Sequence, residues 1–233
     1  MEKEYSFFDG KTIFMDDRFF KLTTDTVLLS HFAQSKPRSR GLDLGAGCGF
    51  LGLLFMLRNP GVLVDGIEKV EGACALARKN YLHCGISPEQ AQVIHGDYTD
   101  FHHPKKYDFC LSNPPYFSPK SGFSSTSSEI DTARRGEMLD VCRGARRALK
   151  TGGKFFLCLP PDRLGSATQA LYECGFYIKR LRFVHDTVQS SANIVLLEAS
   201  SGSQGMKIDP PLILRDENGY TKEYCEIYGS FAR

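Results

Sequence analysis

Arg40-Gly-Leu-Asp-Leu-Gly-Ala-Gly-Cys-Gly49 is the stretch on which the reading of this chain turns. Its first half is a short apolar run carrying one acid, Asp43. Its second half places glycine at positions 45, 47 and 49, and an apolar segment, Phe50 to Leu57, follows at once. A strand that enters a glycine-rich turn and leaves it as a helix is how α/β sheets bring backbone close to a nucleotide-like ligand, because glycine takes positive φ and carries no Cβ. The spacing is not the Gly-x-Gly-x-x-Gly of hydride-carrier sites, and the acid precedes the turn. Asp43, Gly45, Ala46, Gly47 and Gly49 are the first candidate cofactor-binding residues.

Downstream, Val62-Leu-Val-Asp-Gly-Ile-Glu68 reads as a second strand ending in an acid about twenty residues past the turn, where a ribose diol is gripped in such units. The other reading of Glu68 is a solvated acid before the next helix. That helix repeats apolar residues at Ala73, Leu76, Ala77, Tyr81 and Cys84 and stops at Gly85. A third strand, from Val93, carries Asp97 and Tyr98 at its tip, where the acid can take the amino group of a cofactor's base and Tyr98 can flank its ring, the other reading being a simple turn. Strands alternating with helices imply a parallel sheet.

Upstream, Met1 to Asp9 reads as an irregular entry. Thr12-Ile13-Phe14 and Phe19-Phe20-Lys21-Leu22 suggest a short hairpin running into a helix capped by Thr24 or Asp25, with Val27, Leu28, Leu29, Phe32 and Ala33 on its apolar face. Residues 1–39 form a lid on this reading, and the sharper version sets Thr24 and Asp25 over the cofactor.

Tyr107-Asp-Phe-Cys-Leu-Ser-Asn-Pro-Pro-Tyr116 carries the chemistry. It reads as a buried strand that places Asn113, Pro114, Pro115 and Tyr116 at its end. An amine on a planar group holds its lone pair in the ring, and attack on a methyl donor requires that pair to be localised. The side-chain oxygen of Asn113 and the carbonyl of Pro114 can each accept one N–H, and neither has to be a strong base. The prolines fix φ and push Asn113 into extended backbone, so the carbonyl is presented rather than used in a helix. Tyr116 supplies a flat face, worth roughly 1–3 kcal/mol per stacked base. The plainer reading is a Pro-Pro turn that ends a strand.

Phe117 to Asp131 is rich in Ser, Gly and Thr, and too long for an idle turn; it reads as a loop that closes on substrate. Phe117, Lys120, Arg134 and Arg135 are candidate substrate contacts. With Arg143, Arg146, Arg147 and Lys150 the arginines form a basic patch, read either as phosphate contacts or as a solvated helix face. Beyond it come the strand Lys154 to Leu159, a helix from Leu164 to Cys174, a strand Phe176 to His185 and a last strand Ala192 to Glu198, the final pair antiparallel. Ser200 to Gly205 reads as a break, and the chain ends in a capped helix with Tyr224, Ile227 and Tyr228 on one side.

At 233 residues and 42% hydrophobic content the chain is sized for one α/β core, with residues 40–200 as the core and 201–233 as an extension packed on it. A formal charge of +2 does not by itself announce a nucleic-acid binder. The eight cysteines are scattered singly, with neither Cys-x-x-Cys nor finger spacing; most sit inside apolar runs and read as small buried hydrophobes of a reducing cytosol. His102 and His103 are neighbours in a polar loop and do not suggest a metal site. There is no signal-peptide pattern and no apolar run of membrane-spanning length. The expectation is a cytoplasmic monomer that binds no metal and no membrane.

With these residues in hand the chain resembles the bacterial tRNA(Val) adenine-N6 methyltransferases, which modify the adenosine next to the anticodon, and the resemblance covers nearly its whole length. Leu42-Asp-Leu-Gly-Ala-Gly-Cys-Gly-Phe50 and Asn113-Pro-Pro-Tyr116 are shared by many amino-group methyltransferases. Phe20-Lys-Leu-Thr-Thr-Asp-Thr-Val-Leu-Leu29, Pro211-Leu-Ile-Leu214 and Tyr220-Thr-x-Glu-Tyr-x-x-Ile-Tyr-Gly229 look like that family's own signatures. The resemblance implies a class I methyltransferase fold, a Rossmann-like, seven-stranded mixed sheet with helices on both faces. It further implies that Asp43, Gly45, Gly47, Glu68 and Asp97 hold S-adenosylmethionine, which leaves as S-adenosylhomocysteine. By the same token Asn113, Pro114 and Tyr116 position a target adenine of tRNA. Arg134 matches an arginine of relatives that is usually followed by His-Glu; here Arg135-Gly136-Glu137 follows. Glutamine-N5 methylation of a protein, and a non-catalytic RNA-binding module on the same fold, are the competing readings.

Overall fold

The computed structural model describes residues 1–19, 21–101, 107–114, 127–202 and 205–229, and of residues 127–135 only the backbone. The chain opens with a hairpin of β1 (Glu2–Ser6) and β2 (Thr12–Asp16), followed by α1 (Thr24–Phe32). Next come β3 (Arg40–Leu44), α2 (Phe50–Arg58), β4 (Leu63–Glu68), α3 (Glu71–His83), β5 (Val93–His95) and β6 (Tyr107–Ser112). They are followed by α4 (Ser127–Ala148), β7 (Leu149–Leu159), α5 (Leu164–Glu173), β8 (Tyr177–His185) and β9 (Ala192–Ser200). The C-terminal part adds β10 (Lys207–Ile208), β11 (Leu212–Ile213) and α6 (Lys222–Tyr228).

The central sheet has the order β10-β8-β9-β7-β6-β3-β4-β5, with β11 also on β8. β5, β4, β3, β6 and β7 are mutually parallel, and β9 lies antiparallel between β7 and β8. Those seven strands are the expected mixed sheet. The count rises to nine because residues 207–213 run along the outer edge of β8 in two short pieces, broken where Pro210 and Pro211 have no N–H to donate. This extension covers what would otherwise be an open edge.

Successive strand residues feed opposite cores. Phe109, Leu111, Phe156 and Cys158 face α1, α2, α3 and α6, whereas Cys110, Phe155 and Leu157 face α4 and α5. Strands buried on both faces read as continuous apolar runs, which is why period-two alternation is faint in this sequence. Each fully buried Phe or Leu contributes about 1.5–3 kcal/mol.

Three sequence expectations change. The N-terminal hairpin pairs residues 2–6 with 12–16, so the supposed irregular entry is itself a strand, and Leu22 is not part of the hairpin. The helix cap is Thr23, one residue before the expected Thr24 and two before Asp25. The last part of the supposed loop Phe117 to Asp131 is helical from Ser127 onward.

Candidate active site

Chain order decides where a cleft opens. β3, β4 and β5 step outward in one direction, and β6 returns to the other side of β3. The loops leaving β3 and β6 must therefore diverge, the switch point at which open α/β sheets bind ligands. A cleft of about 680 Å³ lies there, lined among others by Asp25, Thr26, Asp43, Gly45, Glu68 and Asn113. Ser112 secures its floor: beyond the last ladder pair its hydroxyl donates to Leu44 O at 2.8 Å, tying the end of β6 to the glycine turn.

Gly45, Gly47 and Gly49 all take positive φ, at 74°, 54° and 81°. The amides of this turn are committed inward. Gly45 N and Ala46 N both donate to Ile67 O at 3.0 Å, Gly49 N donates to Ala46 O at 2.8 Å, and Gly47 N donates to Glu68 Oε2 at 2.8 Å. A phosphate cradle works by pointing amides at its ligand. This turn offers close approach instead.

Two acids, Asp43 and Glu68, stand beside the glycine turn. Asp43 is 1% exposed, and its Oδ2 accepts from Gly52 N at 3.1 Å. Burial, with the Glu68 carboxylate adding to it, raises its pKa to about 7 against that one backbone bond. Glu68 accepts from Gly47 N through Oε2 and from Val70 N through Oε1, both at 2.8 Å. Those bonds fix the carboxylate across the mouth of the turn, and each oxygen keeps a second lone pair for a ligand. Burial also raises the pKa of Asp25, at the start of α1.

Asn113 faces these acids from the end of β6, with Pro114 beside it. Its Nδ2 donates to Thr26 Oγ1 at 3.3 Å, and the Thr26 hydroxyl in turn lies 3.3 Å from Thr23 Oγ1. A carboxamide has one donor end and one acceptor end. With the donor end on α1, Oδ1 is the end turned to other partners.

Residues 4–164, which hold the glycine turn and the Asn-Pro at the end of β6, match the methyltransferase small domain family. The chain belongs to that family. Its relatives include proteins named tRNA1(Val) (adenine(37)-N6)-methyltransferase. The one from Aliivibrio fischeri is 29% identical over 90% of this chain and 89% of its own length. The one from Yersinia pestis is 30% identical over 91% of this chain and 86% of its own. The crystal structure of a predicted O-methyltransferase from Agrobacterium tumefaciens shares the fold with a TM-score of 0.72, at 20% identity, over 90% of this chain and 97% of that one. The sheet described above is the class I methyltransferase sheet.

Within this methyltransferase fold the expected site residues divide. Asp25, Asp43, Gly45, Ala46, Gly47, Glu68, Tyr98, Asn113 and Pro114 come together on the cleft. Three do not. Thr24 turns toward the C-terminal helix, where its Oγ1 accepts the Tyr228 hydroxyl at 3.1 Å. Gly49 backs onto α3, and a Cβ there would sit 2.9 Å from the Tyr81 ring, so close helix packing accounts for this glycine. Asp97 closes a turn by accepting Thr99 N at 2.8 Å, a bond that lowers its pKa, and it does not line the cleft. The expectations placed on Tyr116, Phe117 and Lys120 lie outside the described residues, as do the side chains of Arg134 and Arg135.

The basic patch is partly used up by the fold. Arg147 donates to the carbonyls of Tyr98 and Thr99, Lys150 pairs with Asp108 at 2.6 Å, and Arg143 sits 3.6 Å from Asp140. Arg147 therefore holds the Tyr98 loop over Gly144.

Several cleft residues escaped the sequence reading. Thr26, Lys69, Met138 and Val141 line it, and Asn80, fully buried, braces the turn from behind by donating to Cys48 O at 3.2 Å and exchanging bonds with Phe14. Asn80 carried a signal: it is an amide inside the apolar stripe Leu76, Ala77, Tyr81, Cys84. Among the described residues no cluster of His, Cys, Asp or Glu could hold a metal ion, and no helix is long and apolar enough to cross a membrane.

Proposed function

We propose that this chain transfers a methyl group from S-adenosylmethionine to the exocyclic N6 of an adenosine in tRNA, the adenosine next to the anticodon. Relatives that match it over most of their length carry that activity in their names. The observation that carries the chemistry is the Asn113 carboxamide, anchored at its donor end by Thr26 and sharing one cleft with the glycine turn, Asp43 and Glu68.

The cleft suits the cofactor. Four carboxylates on its lining, Asp25, Asp43, Glu68 and Glu137, suit a cationic, hydroxyl-bearing ligand, with Lys21, Lys69 and Arg163 set among them, and its turn amides are spent internally, as a ligand without phosphate permits. Glu68 is placed for a ribose diol; Asp25 and Asp43 favour positive charge near the turn; Tyr98 gives an apolar wall. When bound, S-adenosylmethionine supplies an electrophilic methyl carbon. The chain's own work is orientation. Asn113 Oδ1 accepts one N–H of the adenine amine and Pro114 O the other, so the nitrogen lone pair is drawn out of conjugation with the ring and points along the cleft, and one of the two amine protons is released once the new N–C bond has formed. Holding two reactants in line supplies most of the acceleration in such a site. The target base must leave its stack, which costs least in a single-stranded loop. We read the acting unit as a cytoplasmic monomer.

The test is to incubate purified protein with labelled cofactor and total tRNA from a strain lacking the gene, then map the labelled nucleotide. N6-methyladenosine beside the anticodon is expected. Label on protein glutamine, or on another RNA atom, would overturn the reading.

A further inference from the structure

Arg163 stands at the cleft in a setting that the activity proposed above does not explain. It ends a 3-10 turn (Pro161–Arg163) directly after β7, and it lines the cleft together with Asn113, Pro114 and Glu137. Two prolines precede it with Asp162 between, Arg163 N donates to Pro160 O at 3.0 Å, and Ser166 Oγ donates to Arg163 O at 3.0 Å, so its backbone is pinned. The side chain is only 13% exposed, yet its one ion pair among the described residues is with Asp162, at 3.9 Å, beyond hydrogen-bonding range. Withdrawing a guanidinium from water without a bonded counter-ion is unfavourable, and such a group is normally satisfied by an anion. Its planar fork suits a two-oxygen partner, phosphate or carboxylate.

The sheet order selects between these sources. Arg163 follows β7, on the far side of β6 from β3 and β4, which carry the glycine turn and Glu68. A cofactor held by the turn has β6 between it and β7, whereas a nucleotide whose base reaches Asn113 brings its backbone toward the β7 side. We infer that Arg163 binds a backbone phosphate flanking the target nucleotide, the anionic contact that orients the RNA strand at the mouth of the cleft. This rests on the RNA reading given above and adds a residue to it.

The test compares wild type with Arg163→Met and Arg163→Lys, each first shown to melt as a folded protein. Binding of unfractionated tRNA is measured across a salt series, and binding of S-adenosylhomocysteine by calorimetry. Losing a charge-assisted, two-point contact should weaken tRNA binding about tenfold or more in Arg163→Met. The slope of log affinity against log salt should fall by about 0.7, one single-strand phosphate. Arg163→Lys should keep the slope and lose part of the affinity, and it serves alone if the Met variant does not fold. S-adenosylhomocysteine should bind all three alike. Unchanged tRNA affinity and slope would overturn the inference while leaving the methylation reading intact. Weakened S-adenosylhomocysteine binding with tRNA unaffected would assign Arg163 to the cofactor carboxylate and overturn it equally. A wild type that binds no tRNA defeats both readings.

Discussion

Replacing Thr26 by valine keeps the shape of a side chain that is 7% exposed and deletes the hydroxyl to which Asn113 Nδ2 donates at 3.3 Å. An ordinary neutral hydrogen bond nets about 1 kcal/mol, and a stranded donor costs about 1–3 kcal/mol. Without the Thr26 oxygen, the Asn113 amide lowers its energy by turning its NH2 away from α1 and into the cleft. The orientation that presents Oδ1 to an amine then becomes the minor one. Asn113 is only partly buried, which sets the bias near the lower limit, so a fall in kcat of about five- to tenfold is expected. The assay is methyl transfer at saturating tRNA and cofactor, with cofactor affinity by calorimetry and melting temperature alongside. Thr26→Ser restores the oxygen and should recover most of the rate. In an Asn113→Asp background the symmetric carboxylate has no orientation to lose, so adding Thr26→Val should cost little further. An undiminished kcat in Thr26→Val, or an equal loss in Thr26→Ser, would refute the orientation argument.

Asn113→Ala should abolish transfer and leave cofactor affinity within a few-fold; intact turnover with lost cofactor binding would contradict its assigned role. Because the folded pKa of Asp43 is raised to about 7 from 3.8, the native state binds a proton that the unfolded chain releases between those values. Stability from this group is full below pH 4 and is lost as the pH rises through 7, and Asp43→Asn should flatten that decline in denaturant titrations between pH 5 and 8. The Tyr81 hydroxyl is buried with no hydrogen-bond partner, and a Cβ on Gly52 would lie 2.4 Å from it. Tyr81→Phe should therefore hold or raise stability by up to about 1–3 kcal/mol, and Gly52→Ala should be better tolerated in that background than alone. A clear fall in melting temperature on Tyr81→Phe would argue against a stranded hydroxyl.

Much of the site is written in local chain order. The glycine turn, Glu68 and Asn113 can be read from the sequence because each stands at the end of a strand, and in a parallel sheet all such ends lie on one edge. Thr26 and Arg163 are not legible in that way. Nothing local distinguishes Thr26 from Thr23 or Thr24, and only the packing of α1 beside β6 sets its hydroxyl against Asn113. Arg163 is an arginine after two prolines until β7 is placed next to β6. Thr24, Gly49 and Asp97 show the converse: their positions fit the motif, yet their side chains, or the missing one, serve the helix contacts and the turn around it.

By itself the sequence determined the alternation of strands and helices, the turn that needs positive φ and the carboxamide followed by prolines, because these depend on backbone preferences and on neighbours a few residues away. Only the tertiary structure decided which strand lies beside which, that the turn's amides point inward, that the C-terminal segment extends the sheet, and which side chains meet across the cleft. Those outcomes depend on contacts between residues far apart in the chain, and local preference carries no information about them.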